Sequence, residues 1–225
     1  NLPVARLWDV RAPGVNWGMY ARQSVTEVST RRHIPDVLLR QHHARILGIE
    51  GYVVVDYFDE LELGICLRIN ALSRRIGVRR LFTAISRLGD WPAYAIVGVA
   101  CAALLEEAAG AFLLQSVLTA TAGVAIYKAL KNQLVRERPY ITHNGIVAAA
   151  APLDRYSFPS GHTLHAVTFS TIALYYYPHL AWLLVPFTLL VATSRVVLGL
   201  HYPSDVLVAT AIGLGLAYSS LLMFH

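Results

Sequence analysis

From Trp91 to its end the chain runs in five apolar segments: Trp91–Leu105, Ala108–Leu130, Ser160 to about Tyr177, Leu180–Thr193 and Val206–Phe224. Stretches of this length and apolarity predict helices that cross a bilayer. Composition agrees: 56% of the residues are apolar and the mean hydropathy is +0.48, too high for an ordinary soluble domain. The first segment is short for a hydrocarbon core of about 30 Å, so it begins upstream or tilts little. Gly213 and Gly215 in the fifth segment predict close approach of a neighbouring helix.

Upstream the pattern changes. Residues 1–50 are rich in arginine and histidine and are broken by Pro3, Pro13 and Pro35, which predicts short surface or interfacial helices. Between Val53 and Leu88, apolar residues such as Leu61, Ile65, Leu72, Ile76, Leu81 and Ile85 recur at helical spacing among charges, the pattern of amphipathic helices that lie on a membrane or pack on a bundle. Gly89 stops the last of these, and Asp90-Trp91-Pro92 opens the next helix. The expected architecture is all-α: an integral membrane helical bundle of five transmembrane helices, or six if an upstream amphipathic segment crosses, with N-terminal interfacial helices. Residues 1–80 form the extension and 81–225 the membrane domain. The first thirty residues lack the apolar stretch of a cleavable signal peptide.

The formal charge is +5, and only Lys128 and Lys131 are lysines among the 19 basic residues. No nucleic-acid fold signature accompanies this charge, so nucleic-acid binding is set aside. In a membrane protein, basic charge marks the cytoplasmic face and contacts with anionic lipids. Thirteen arginines precede the first segment, Lys128, Lys131, Arg136, Arg138 and Arg155 surround the loop between the second and third, and Arg195 shares their face; the opposite face carries Glu106 and Glu107. The positive-inside rule therefore places that face in the cytoplasm. An upstream crossing, or an exported N-terminus, would turn it outward. Cys66 and Cys101 form no metal or redox motif. Asp56, Asp59, Glu60 and Glu62 read as a solvated helix face rather than a metal cluster.

The ends of the apolar segments carry three spaced motifs: K-x6-R-P (Lys131, Arg138, Pro139), P-S-G-H (Pro159 to His162) and S-R-x5-H-x3-D (Ser194, Arg195, His201, Asp205). Alternating spans bring all of them to one membrane face. Lys131 and Arg138 lie seven residues apart, so a continued helix puts them on one side. Arg138 offers a planar fork for phosphate oxygens, Lys131 a point charge and Arg195 a third cation. Ser160 and the N–H groups of Gly161 and His162 sit at a helix start, where free donors and the dipole favour an anion. Asp205, four residues beyond His201, can accept a hydrogen bond from one imidazole nitrogen and leave the other free to attack phosphorus. His162 would protonate the leaving oxygen as general acid. Water then hydrolyses the phosphohistidine, and the cations stabilise the transferring group, so neither metal nor cofactor is required.

Each piece alone has a plainer reading. Arg195 could be a snorkelling or paired interfacial residue, His201 and Asp205 a helix-start hydrogen bond, and Pro159-Ser160-Gly161 an ordinary helix start. Their joint spacing favours the phosphate site. His33, His42, His43, His143, His165, His179 and His225 fit no pattern and read as surface or packing residues.

Together the three blocks resemble those of the type-2 phosphatidic acid phosphatase superfamily, in its bacterial membrane branch; the superfamily also includes vanadium haloperoxidases. The resemblance covers residues 131–205 without departure at a motif position, and the helical pattern continues to about residue 224. It implies a helical bundle in a bacterial inner membrane that hydrolyses phosphomonoesters or diphosphates without a metal. By position it implies His201 as nucleophile, Asp205 as its partner, His162 as acid, and Lys131, Arg138, Ser160, Gly161 and Arg195 as phosphate ligands. The expected activity is that of a lipid phosphatase acting on phosphatidic acid, phosphatidylglycerophosphate or a polyprenyl phosphate or diphosphate such as undecaprenyl diphosphate. The lipid tail would stay between helices, and the loop 140–158, with His143, Asp154, Arg155 and Tyr156, would help select the substrate. Two rival readings are a vanadate-dependent haloperoxidase, against which the apolar spans weigh, and a non-catalytic lipid-phosphate binding protein, against which His162, His201 and Asp205 weigh.

Overall fold

The computed structural model describes residues 51–104, 109–152 and 154–224. The expected interfacial helices of residues 1–50 and the Glu106-Glu107 boundary lie outside them. Among the described residues, all regular structure is helical. Two helices precede the apolar run: α1 (Gly51–Asn70) and, after a single 3-10 turn, α2 (Ile76–Leu88). The apolar segments become α3 (Trp91–Leu104), α4 (Ala109–Gln133), α6 (Gly161–Tyr176), α7 (Ala181–Val197) and α8 (Pro203–Phe224), with the short α5 (Pro139–Thr142) after α4. Among the described residues three stretches, Ala109–Gln133, Pro178–Val197 and Pro203–Phe224, are long and apolar enough to cross a membrane. Against the five expected spans, α3 has 14 residues and α6 has 16, short of that measure.

The bundle is apolar on its outer surface and mixes polar side chains into its apolar core. Ile96, Leu114, Trp182, Leu189 and Leu207 are exposed, whereas Gln115, Thr119, Ser170 and Ser220 are buried. The inner polar groups satisfy one another across helices: Gln115 Nε2 donates to Ser220 Oγ at 2.7 Å, Tyr176 OH donates to Gln115 Oε1 at 2.9 Å, and the hydroxyls of Ser170 and Thr188 lie 2.8 Å apart. Packing and interhelical hydrogen bonds of this kind hold helices together where lipid is as apolar as the side chains.

Helix α6 is the centre, packed on α4, α7 and α8, and its Leu164, Ala166 and Ala173 are fully buried. At Gly213 a Cβ would lie 2.9 Å from the Leu164 carbonyl oxygen and 3.1 Å from Val167 Cβ, so the glycine permits the α6–α8 contact. Gly215, expected to share that role, faces open space, because its position two residues on turns it to another side of the helix.

The amphipathic stretch is divided between α1 and α2. Leu61, Leu72, Ile76 and Leu81 stay exposed, while Ile85 packs with Ala166 and Val191. On α1, Cys66 packs with Ile146, Val196 and Tyr202. Asn70 donates to the carbonyls of Val147 and Val197, each at 3.0 Å, and so braces the end of α7.

Candidate functional site

The α4 C-terminus, the α6 N-terminus, the α7 C-terminus and the turn before α3 border one cavity of about 670 Å³. Lys131, Arg138, Gly161, His162, Arg195 and His201 all line it. Ser160 and Asp205 do not; both are fully buried behind it.

Lys131 is carried by the last turns of α4, but the helix ends at Gln133. The continued helix expected between Lys131 and Arg138 is therefore absent. Proline at 139 disfavours helical geometry in the residue before it, and Arg138 is extended at φ −79°, ψ 152°. The two cations converge through the loop instead. Lys131 Nζ lies 2.7 Å from each Asp154 carboxylate oxygen, and Arg138 Nη2 lies 2.6 Å from Oδ1. Burial alone would raise the Asp154 carboxyl, but the hydrogen bond and charge of Lys131 and the charge of Arg138 outweigh it and hold the group below its usual range. Both expected phosphate cations thus carry an internal carboxylate.

Arg195 differs. It is 3% exposed, it donates through Nη1 to the Ser86 hydroxyl, and its Nε has no hydrogen-bond partner among the described residues. Among the described residues no carboxylate pairs with it. A buried guanidinium without a counter-charge is costly, and an anion entering the cavity would offset that cost.

The turn after α7 delivers His201. Gly199 adopts φ +71°, a left-handed conformation that ends the helix, and the N–H groups of Leu200 and His201 return to the Arg195 carbonyl at 3.0 and 3.2 Å. His201 is 2% exposed. Its Nε2 lies 3.3 Å from Arg138 Nη1; a guanidinium can only donate, so that nitrogen carries the lone pair and Nδ1 the proton. Burial, then the charges of Arg195, Arg138 and Lys131, hold the imidazole well below the usual histidine range. It is neutral near pH 7, as a nucleophile must be.

The expected hydrogen bond to Asp205 is a looser contact. His201 Nδ1 lies 3.5 Å from Asp205 Oδ2 and has no hydrogen-bond partner among the described residues. The carboxylate is engaged elsewhere: Oδ2 accepts the Tyr202 N–H at 2.8 Å and Oδ1 accepts Arg136 Nη1 at 2.8 Å. Arg136 also binds Glu62 at 2.7 Å, and Glu62 accepts the Ser204 N–H at 2.6 Å. Glu62, expected on a solvated face, is instead 12% exposed in its side chain, because α1 lies against the start of α8.

Ser160 caps α6; its side chain accepts from the Thr163 N–H at 3.5 Å, and its hydroxyl lies 3.0 Å from that of Thr163. This leaves the Gly161 and His162 N–H groups as the first-turn donors that a helix itself does not satisfy. His162 Nε2 lies 2.8 Å from Asp90 Oδ1. Burial raises the Asp90 carboxyl above its usual range, while Arg195 and Arg87 oppose the rise. Sequence reasoning missed Asp90 as a site residue, since it is 72 positions from its partner and reads locally as a helix start. Arg136 carried a visible signal, lying inside the K-x6-R-P block. His165, read as a surface or packing residue, borders the cavity with its ring edge-on to Tyr127. Among the described residues no group of three or more His, Cys, Asp or Glu is placed to hold a metal ion.

An apolar groove of about 440 Å³ between α3, α4 and α6 shares Gly89, Trp91, Val124 and His165 with the cationic cavity. A helical bundle with an exposed apolar surface and a cationic, histidine-bearing cavity adjoining such a groove defines the class as a helical membrane protein. More particularly, the chain belongs to the PAP2 superfamily, whose family model matches residues 112–225. It is 33% identical over 115 residues to the undecaprenyl-diphosphatase BcrC of Bacillus subtilis; the match covers 51% of this chain and 59% of that protein, less than two thirds of its length. The crystal structure of Aquifex aeolicus LpxE is similar with a TM-score of 0.63 at 25% identity, over 72% of this chain and 94% of that one. The first transmembrane PAP2 type phosphatidylglycerolphosphate phosphatase from Bacillus subtilis gives 0.62 at 22% identity, over 85% and 96%, a likeness of fold alone.

Proposed function

We propose that this protein is an integral membrane lipid phosphatase that transfers the terminal phosphoryl group of a lipid phosphomonoester or diphosphate to His201 and then to water. The observation that carries this reading is Arg195: buried, in no ion pair with a carboxylate and with Nε unpartnered among the described residues, it lines the cavity that also holds both histidines. His201 Nε2 attacks phosphorus as the bond to the leaving oxygen breaks, and His162 supplies that oxygen with a proton. Arg195, Arg138, Lys131 and the first N–H groups of α6 stabilise the charge on the transferring group. Asp205, fixed by Arg136 and the Tyr202 N–H, holds its charge beside the protonated edge of His201. In the second step His162 takes a proton from water, which displaces the histidine from phosphorus.

The apolar groove next to the cavity suits a lipid tail, and the name of the BcrC relative supports undecaprenyl diphosphate as the first substrate to test, ahead of phosphatidic acid and phosphatidylglycerophosphate. Residues 81–225 form the membrane domain in this reading. All five apolar helices traverse the bilayer. Helices α3 and α6 span only about 21 and 24 Å at 1.5 Å per residue, and α6 lies at the centre of the bundle, where it has no lipid thickness to match. The excess of basic residues at the cavity end supports a cytoplasmic position for that end.

The test is phosphate release from the three lipids in detergent with EDTA present, with and without orthovanadate. Vanadate-sensitive release that survives EDTA and disappears in His201→Ala is the expected result. Release unaffected by His201→Ala would remove His201 as nucleophile, and loss on chelation restored by one divalent ion would overturn the metal-independent chemistry.

A further inference from the structure

The corner between α2 and α3 supplies the cavity with a carboxylate that lies outside the family-matched residues 112–225. Asp90 lines the cavity and its Oδ1 is 2.8 Å from His162 Nε2. The corner is held in place. A Cβ on Gly89 would meet a Val191 methyl of α7 at 2.9 Å, so the backbone there lies directly against the bundle. The N–H groups of Gly89 and Asp90 are bonded to Ile85 and Arg87 carbonyls at 3.0 and 3.1 Å. From the same end of α2, Ser86 accepts a hydrogen bond from Arg195.

The other charged or titratable groups that face His162 are Arg195 from α7, His201 from the α7–α8 turn, Lys131 from α4 and His165 from α6 itself. Two are basic side chains and two are imidazoles. A histidine that has to carry an extra proton in this company needs an anion in contact, and Asp90 is the carboxylate in that position among the described residues. The contact also fixes the ring: with Nε2 engaged by Asp90, Nδ1 is left to exchange a proton with the cavity.

We propose that Asp90 is the positioning residue for His162, holding Nε2–H and stabilising the imidazolium that protonates the leaving oxygen. The inference rests on the phosphatase reading above. In the first step the Nδ1 proton passes to the leaving oxygen as the phosphorus–oxygen bond breaks and the phosphorus–His201 bond forms. In the second, a water proton returns to Nδ1 as the new phosphorus–oxygen bond forms and His201 departs. The Nε2 proton stays with Asp90 throughout.

The experiment compares wild type, Asp90→Asn, Asp90→Glu, His162→Ala and the Asp90→Asn/His162→Ala double variant on undecaprenyl diphosphate and phosphatidic acid across pH. Asp90→Asn is expected to lower kcat by about 10- to 100-fold with little change in KM, since the loss falls on proton transfer. The alkaline limb of its pH–rate profile moves to lower pH, because the imidazolium has lost its counter-charge. Asp90→Glu recovers part of the rate and of the profile. In the His162→Ala background, Asp90→Asn has no further effect, as expected of a residue that acts through His162. A wild-type kcat and pH profile in Asp90→Asn, or an equal further loss in the double variant, would overturn the assignment of Asp90 while leaving the phosphatase reading intact. A wild-type protein inert on these two lipids and on phosphatidylglycerophosphate overturns both.

Discussion

Asp154 accepts hydrogen bonds from both Lys131 and Arg138, so in the proposed mechanism an incoming phosphate would meet two cations already paired and one, Arg195, with no ion pair among the described residues. The Asp154 side chain is 39% exposed, which keeps the pair weak enough to exchange. Replacing it tests whether the carboxylate stands where the anion binds. Asp154→Asn is expected to tighten inhibition by orthovanadate about 2- to 5-fold, the worth of a partly exposed ion pair that no longer has to be broken. Unchanged or weaker inhibition, measured by titrating vanadate against phosphate release, would mean that Asp154 sits beside the anion and helps hold the cations in place. This residue was visible in the sequence as part of a loop expected to select substrate. Its pairing was not, because the loop fold that brings it to Lys131 is set by no local pattern.

At the scale of elements, the α6–α8 packing places the two histidines across one cavity. His162 is on the first turn of α6, and His201 precedes α8 by two residues, so their separation depends on how closely the two helices approach. Gly213 governs that approach. Gly213→Leu forces a side chain against the Leu164 carbonyl and Val167, and is expected to destabilise the protein by about 1–3 kcal/mol. Thermal unfolding in detergent would show a lower midpoint, whereas Gly215→Leu, facing open space, leaves it nearly unchanged. Equal midpoints for the two variants would remove the close-contact role of Gly213. Sequence reasoning flagged both glycines as equivalent. Only the rotation of α8 about its axis distinguishes them, and an apolar helix that meets lipid on one side and protein on the other carries little periodic signal of which side is which.

For the whole molecule, the proposed function makes the adjoining cavity and groove the feature on which lipid selectivity would depend. Ala120 lines the groove but not the cationic cavity. Ala120→Phe is therefore expected to raise KM several-fold for a long-chain lipid phosphate and to leave a short-chain, water-soluble phosphate ester unaffected, read as the ratio of the two KM values. A uniform change would place the tail elsewhere. The sequence by itself determined the helical class, the positions of the apolar segments to within about a turn and the motif residues that line the cavity, because apolar runs, helix caps and fixed spacings are local properties of the chain. Tertiary structure alone decided the partners of those residues. Asp90 reaches His162 across 72 positions, Glu62 reaches the start of α8 across 142, and Asp205 gives its oxygens to Arg136 and a backbone N–H rather than to His201. Such contacts arise where helices from distant parts of the chain end together, and what meets there depends on turn geometry and packing that no spacing in the sequence records.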